Sequence, residues 1–141
     1  MLRKSRKNSR KVERSKGRKM PKIKRFEDIK AWQLSRDLVR EVYSIGDGDQ
    51  AFRDFGFKDQ IRRSAVSTMS NIAEGFERFS DKEFAQFLNI ARGSAGEVRS
   101  HLYVALDKKY ITQQEFDRLK DLCETTSKHI WKFIEYLKTS K

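Results

Sequence analysis

The sequence is short of the residues that end secondary structure or cross-link a chain. It has one proline, seven glycines and one cysteine in 141 residues. So few turn-forming residues argue against an all-β fold. A single cysteine excludes an internal disulfide and is typical of a reducing compartment, so we expect a cytoplasmic protein. There is also no apolar run near 18 residues and no apolar core of a secretory signal, so we expect no membrane partner.

Acidic residues are almost missing from the first 25 positions. Met1–Arg25 holds 13 of the 32 lysines and arginines but one of the 20 acids, Glu13, and so carries a net charge of +12. The remaining residues hold 19 bases and 19 acids, so they are neutral. The whole net charge of the chain therefore lies in its first 25 residues.

Met1–Arg25 has too few apolar residues to offset the entropy of folding, which predicts a disordered basic arm. Such an arm binds phosphate backbones by releasing counterions. The predicted nucleic-acid-binding residues are Arg3, Lys4, Arg6, Lys7, Arg10, Lys11, Arg14, Lys16, Arg18 and Lys19. The alternative is that translation starts at Met20 and that residues 1–19 are not part of the protein.

Residues 26–141 have the apolar periodicity of four amphipathic helices. The pattern predicts helices over Glu27–Ile45 and Phe57–Phe76, from Ser80 to Ala105, and from Thr112 to Leu137. Ser80 and Thr112 each open a capping box that ends in a glutamate three residues later. Four such helices with short connections predict an all-α fold, an antiparallel up-down four-helix bundle.

A polar stripe lies within the second predicted helix. Asn71, Glu74 and Arg78 are spaced to share a face that differs from the apolar one, and Glu74 and Arg78 are spaced for an ion pair. Taken by itself, such a stripe is interpreted as a solvated surface that adds only tenths of a kcal/mol to stability. Gly75 either ends the helix or lets another backbone come close.

The third helix has glycines where helices rarely place them. Gly93 and Gly96 fall in its interior, and each costs about 1 kcal/mol relative to alanine. Two such glycines indicate that something packs closely against this face.

The sequence lacks the residue patterns of several enzyme classes. Neither His101 nor His129 follows a glutamate at the Glu-x-x-His spacing of a di-metal bundle. Cys123 falls on an apolar face, as expected of a buried thiol. There is no phosphate-binding glycine loop and no catalytic serine or CxxC motif. We therefore expect no enzyme activity, no metal and no cofactor.

Residues 62–98 read RRSAVSTMSNIAEGFERFSDKEFAQFLNIARGSAGEV. This stretch resembles the central signature of the four-helix-bundle 23S rRNA intervening-sequence proteins, and the resemblance covers about Ile23–Leu137. Matching positions are Trp32, Ser70, Asn71, Ile72, Ala73, Glu74, Gly75, Lys82, Glu83, Phe84, Phe87, Leu88, Ala91, Arg92, Gly93, Ser94 and Glu97.

The resemblance implies an up-down bundle that assembles as a homopentameric ring. A distantly related group, the accessory proteins of diversity-generating retroelements, binds nucleic acid through a basic pentamer surface. Two features depart from the pattern. Met69 stands where members often have a proline, which puts a kink in the second helix in doubt. The body is neutral, so nucleic-acid binding falls to the arm.

A ring gives the polar stripe and the small residues a role at the subunit interface. The predicted interface residues are Asn71, Glu74, Gly75, Arg78, Arg92 and Gly93. Seven of the ten phenylalanines lie between positions 52 and 87. They form either an assembly surface or a plug at the end of the bundle beneath the 46–56 connection, and we expect the plug for most of them.

Two functions stay open. The first is a non-enzymatic, ring-forming scaffold that binds RNA, ribosomal RNA above all, through its arm. The second is an adaptor that binds an unidentified protein and has no nucleic-acid role.

Overall fold

The computed structural model describes residues 23–47 and 53–139. A short 3-10 helix, Phe26–Asp28, precedes the first α-helix. The four α-helices are α1 (Lys30–Ser44), α2 (Phe55–Phe76), α3 (Asp81–Asp107) and α4 (Gln113–Thr139). The predicted all-α bundle is confirmed.

Side-chain caps fix where three of the helices begin. The Ser80 hydroxyl accepts a hydrogen bond from the Glu83 amide at 3.1 Å. At Thr112 both halves of the capping box are present, with the Glu115 amide donating to Thr112 and the Thr112 amide donating to the Glu115 carboxylate. Asp54 caps α2 by accepting from the Phe57 amide at 3.1 Å, so α2 begins two residues before the predicted start.

Each helix packs against its sequence neighbours, and α1 also packs against α4, which closes the bundle. The core divides into two clusters. The arm-end cluster, where the chain enters, includes Ile72, Phe84 and Ile130. The loop-end cluster, near the α1–α2 and α3–α4 connections, includes Leu38 and Leu102. Burying these apolar faces is the main source of stability, at about 25 cal/mol per Å² of apolar surface.

The phenylalanines do not form a single plug, so that prediction is wrong. Of the phenylalanines between positions 52 and 87, Phe57 is the one that the described part of the chain buries at the loop end, with its ring centroid 5.3 Å from that of Tyr110. Phe76 and Phe84 are buried at the arm end. Phe76 ends α2 and lies about 28 Å along the helix from Phe57, since a helix rises 1.5 Å per residue. Phe55 and Phe79 are exposed. Phe52 lies outside the described residues.

Ile23, the first residue that the structure describes, packs against the bundle. Its side chain is only 3% exposed and belongs to the arm-end cluster. The Asp28 carboxylate accepts hydrogen bonds from the amides of Lys24 and Arg25, which holds this segment against the bundle. The predicted boundary at residue 25 therefore moves to Ile23. The predicted disorder of the arm falls on residues 1–22, which lie outside the described part of the chain.

The second helix is continuous. It runs as a single α-helix through Met69, so the helix has no break at this residue. None of the helices in the described ranges has an apolar stretch long enough to span a bilayer.

Candidate interaction surfaces

Asn71 of the predicted interface takes part in a polar network between α2 and α3. Its side-chain amide donates to the Ser67 carbonyl at 2.8 Å and to the Ser67 hydroxyl at 3.0 Å. The Ser67 hydroxyl in turn lies 2.8 Å from the Ser94 hydroxyl on α3. Asn71 is half-buried, so much of its hydrogen-bonding capacity is used within the subunit.

Glu74 and Arg78 form the predicted ion pair, with 2.7 Å between the Arg78 guanidinium and the Glu74 carboxylate. The guanidinium also lies over the ring of Phe87 on α3, 4.6 Å from its centroid. The Arg78 Nε atom is buried and finds no hydrogen-bond acceptor among the described residues. Both side chains stay about half exposed, so the pair itself stabilises the fold by only a few tenths of a kcal/mol.

Gly75 is buried, and the close approach that it permits occurs within the chain. A Cβ atom at this position would lie 2.7 Å from Phe84 Cδ1 and 2.8 Å from Phe87 Cβ. The first turns of α3 therefore pack directly on the α2 backbone at Gly75. The helix continues one residue further, so Gly75 does not end it.

Gly93 and Gly96 lie in a different environment. Both are exposed on α3, and a Cβ at either one would meet nothing within 4 Å. Their α-helical backbone also needs no glycine, since the positive φ among the described glycines belongs to Gly46. The close packing predicted for this face is thus not supplied by the subunit. Arg92 is exposed beside it.

Sequence reasoning missed a basic groove between α3 and α4. Its lining includes Arg92 and Arg99 from α3, and Glu124, Lys128 and Trp131 from α4. Trp131 is 47% exposed, although tryptophan is among the most apolar side chains. A sequence signal existed, because Trp131 follows the core residue Ile130 and so falls off the apolar face of α4.

A second exposed aromatic lies on the α1–α2 side. The Tyr43 ring has the Arg62 guanidinium 4.8 Å from its centroid, and Arg62 also donates to the Tyr43 carbonyl at 3.0 Å. The neighbouring Val66 is also exposed. The Tyr43 ring is thus already stacked by an arginine of the same chain.

The cysteine and the two histidines have the surroundings of structural residues. Cys123 is buried, and burial raises the pKa of its thiol to about 12. Burial also lowers the pKa of His129, with Lys132 and Lys30 acting in the same direction. The His101 ring lies edge-on to Phe57, with 6.5 Å between centroids. The described residues contain no cluster of three His, Cys, Asp or Glu side chains that could hold a metal ion.

The ten predicted nucleic-acid-binding residues of the arm lie outside the described residues. The structure fixes only their point of attachment, which is Ile23 at the arm end. The α2–α3 connection and the end of α4 lie at this same end.

Comparison with known proteins identifies the family. The family described as 23S rRNA-intervening sequence protein matches residues 27–132. Among solved structures, the chain is similar to a protein of unknown function of the S23 ribosomal protein family from Bacteroides thetaiotaomicron. The TM-score is 0.67 at 23% identity, over 74% of this chain and 98% of that one, a likeness that shows the fold alone. No curated protein matches the sequence. Because the family match covers most of the described residues, the chain belongs to the 23S rRNA-intervening sequence protein family.

Proposed function

We propose that this chain is a non-enzymatic, cytoplasmic, ring-forming helical bundle that binds RNA through its basic arm. The observation that carries the proposal is the separation of charge along the chain. All of the +12 net charge lies in residues 1–25, whereas the body has equal numbers of acids and bases. The family's description names 23S rRNA, which makes ribosomal RNA the first ligand to test.

The attachment of the arm supports this role. Burial of Ile23 in the arm-end cluster fixes the point at which the chain that follows the arm joins the bundle. Every copy of the chain would therefore present its arm from the same end of the bundle. Five arms on one ring would bind a long polyanion far more tightly than a single arm, because each later contact is intramolecular.

The exposed glycine face supports the ring. Gly93 and Gly96 each cost about 1 kcal/mol of helix stability, and no residue in the described part of the chain comes within 4 Å of a Cβ at either position. Close packing of a second copy against the Gly93 side of α3 would account for that glycine. Arg92 and Gly96 lie about 100° and 60° around the helix from Gly93, which leaves their side of α3 outside the contact.

The test is binding to fragments of 23S rRNA over a salt series from about 50 to 200 mM. We compare the native chain with a full-length variant, the glutamine-arm chain, in which the ten predicted arm cations are replaced by glutamine. We expect the native affinity to fall by about 10³-fold or more across the series, as for proteins that make six to ten phosphate contacts. The glutamine-arm chain should bind far more weakly and with a shallow salt dependence.

A second control keeps the composition of the arm and scrambles its order. Because counterion release does not depend on sequence, the scrambled arm should bind as tightly as the native one. A flat salt dependence of the native chain, or equal binding by the glutamine-arm chain, would contradict the arm as the RNA contact. Nuclease-resistant capture of one defined protein by the glutamine-arm chain would then favour the adaptor function.

A further inference from the structure

We propose that the groove between α3 and α4 binds single-stranded RNA by stacking an unpaired base on Trp131, with the neighbouring phosphates held by Arg92 and Lys128. The proposal rests on the proposed RNA-binding function and extends it from the arm to the folded body. It gives a binding role to a surface whose exposed tryptophan and free cations have no other explanation within the subunit.

The shape of the groove comes from its small residues. Gly96 lies one helical turn after Arg92 on α3, and a Cβ there would meet nothing within 4 Å, so the α3 side is open at this level. On α4, Ser127 contributes a small side chain one turn before Trp131. A planar ring can therefore approach Trp131 without displacing a bulky neighbour.

The cations of the groove differ in how far they are neutralised. Arg99 lies 3.2 Å from the Glu124 carboxylate, and Lys120 lies 3.8 Å from it. The single negative charge of Glu124 is therefore divided between these two cations. Arg92 and Lys128 form no ion pair with any described residue. The groove thus carries a net positive charge on a body that is neutral overall.

An exposed tryptophan between free cations matches the chemistry of an unpaired nucleotide. Proteins that bind single-stranded nucleic acid combine a basic groove with aromatic side chains on which bases stack. A paired duplex hides its bases, and an acidic peptide would use the cations but would not need the indole. The geometry therefore favours single-stranded RNA over both.

The experiment uses fluorescence of Trp131. The chain has two tryptophans, so Trp32→Phe leaves Trp131 as the sole emitter. This variant is prepared with the native arm and with the glutamine arm, and each is titrated with an eight-nucleotide adenylate RNA. We expect saturable quenching of Trp131 emission in both variants. The variant with the glutamine arm should bind the RNA with lower affinity. An eight-base-pair RNA duplex should leave the emission nearly unchanged.

Two groove variants test the same assignment by binding of a labelled octamer to the glutamine-arm chain. Trp131→Ala should weaken binding roughly 5- to 150-fold, the range measured when an aromatic ring that stacks on one base is removed. Arg92→Ala with Lys128→Ala should reduce the magnitude of the salt slope by about 1.4, because each phosphate that is neutralised on a single strand adds about 0.7 to that slope. Circular dichroism checks that each variant is folded.

Matched controls lie away from the groove. Tyr43→Ala removes an aromatic of similar exposure on α1, and Arg53→Ala with Lys82→Ala removes two cations elsewhere on the body. Both should bind the octamer like the parent. If the groove variants also bind like the parent, or if the octamer binds without quenching Trp131, the groove assignment is wrong.

The outcomes separate the two proposals. Binding by the native arm with neither binding nor quenching in the glutamine-arm chain would overturn the groove and leave the arm in place. If both chains bind the RNA with equal affinity and with quenching of Trp131, the arm is not the RNA contact and the groove assignment is supported.

Discussion

At the scale of single residues, one glycine sets the distance between two helices. Gly75 lies where the first turns of α3 cross the end of α2, and the Phe84 ring and the Phe87 Cβ occupy the space of its missing side chain. Phe84 is fully buried, and its ring packs edge-on against Phe76 at 6.1 Å and at a tilt against Phe133 at 5.3 Å. Phe84 therefore has little freedom to move aside.

We predict that Gly75→Ala destabilises the protein although alanine is the better helix former. The new Cβ would lie 2.7 Å from Phe84 Cδ1 and 2.8 Å from Phe87 Cβ, and the second of these atoms cannot rotate away. Overpacking of this kind costs about 1–3 kcal/mol, which exceeds the roughly 1 kcal/mol gained from helix propensity. Urea unfolding followed by circular dichroism measures the net change.

The matched control is Gly96→Ala in α3. Its Cβ meets nothing within 4 Å, so the same substitution should raise the free energy of unfolding by about 0.5–1 kcal/mol. Changes of the same sign in the two variants would show that Gly75 is not a packing constraint.

Sequence alone showed that Gly75 was unusual but could not show why. The pattern allowed a helix end, a close approach within the chain or a contact between subunits, since spacing along one helix does not identify what lies opposite. The place of Trp131 off the apolar face of α4 indicated its exposure, but the groove beside it also needs α3, which spacing along α4 does not identify. By contrast, Cys123 was predicted to be buried and is, because position on an apolar stripe is a property of the sequence itself.

At the scale of elements, one carboxylate joins the two connections at the loop end. Asp54 caps α2 through the Phe57 amide and also accepts a hydrogen bond from the Tyr110 hydroxyl at 2.7 Å. Tyr110 lies in the connection between α3 and α4, so this hydrogen bond joins the start of α2 to that connection. The Tyr110 hydrogen bond, followed by the Phe57 amide, lowers the pKa of Asp54.

We predict that Tyr110→Phe raises the pKa of Asp54 towards the ordinary value of an aspartate. Because the folded-state pKa is depressed, the hydrogen bond adds stability above the unfolded-state pKa, near 3.9, and this stability is lost as the pH falls through the folded-state pKa. The native chain should therefore be more stable than Tyr110→Phe at pH 6, and the difference should vanish in acid. NMR titration of Asp54 and urea unfolding at several pH values provide the measurements.

Tyr103→Phe is the control for this experiment. Its hydroxyl has no hydrogen-bond partner among the described residues, and its ring packs on Phe116 at 4.9 Å in the same part of the bundle. Neither the Asp54 pKa nor the pH dependence of stability should change. A shift as large as that of Tyr110→Phe would mean that the Tyr110 hydroxyl is not the cause.

The elements were more predictable than their contacts. Ser80 and Thr112 marked two helix starts because a hydroxyl and a glutamate at fixed spacing satisfy local backbone amides. Ile23 was assigned to the arm because it stands among lysines, yet its burial depends on a core that other helices provide. The prediction for the phenylalanines was wrong for the same reason, since Phe57 and Phe76 belong to one helix but lie at opposite ends of the bundle.

At the scale of the whole molecule, charge and packing separate into different regions. The ten cations of the arm precede Ile23, whereas the exposed glycines of α3 lie on the body. Assembly and RNA binding by the arm can therefore be tested with independent variants. In a ring, however, stability depends on protein concentration, so the subunit must be compared below and above the concentration at which it assembles.

We predict that Gly93→Gln breaks the ring while stabilising the subunit. Glutamine is a better helix former than glycine by about 0.5–1 kcal/mol, and a Cβ at this position meets nothing within the chain. A neighbouring subunit packed closely on Gly93 would instead be displaced by the larger side chain. Light scattering should show the mass of the native assembly falling to that of one subunit, while dilute samples unfold at higher urea than the native chain.

Gly56→Gln provides the comparison that separates assembly from helix propensity. Gly56 is exposed in the first turn of α2, where a Cβ would meet only Asp54 Oδ1 at 3.8 Å, so the same substitution should leave the mass of the assembly unchanged. If Gly93→Gln also keeps the native mass, the glycine face is not the contact between subunits. A native chain that scatters as a monomer would instead rule out the ring, and with it the gain in RNA affinity expected from several arms.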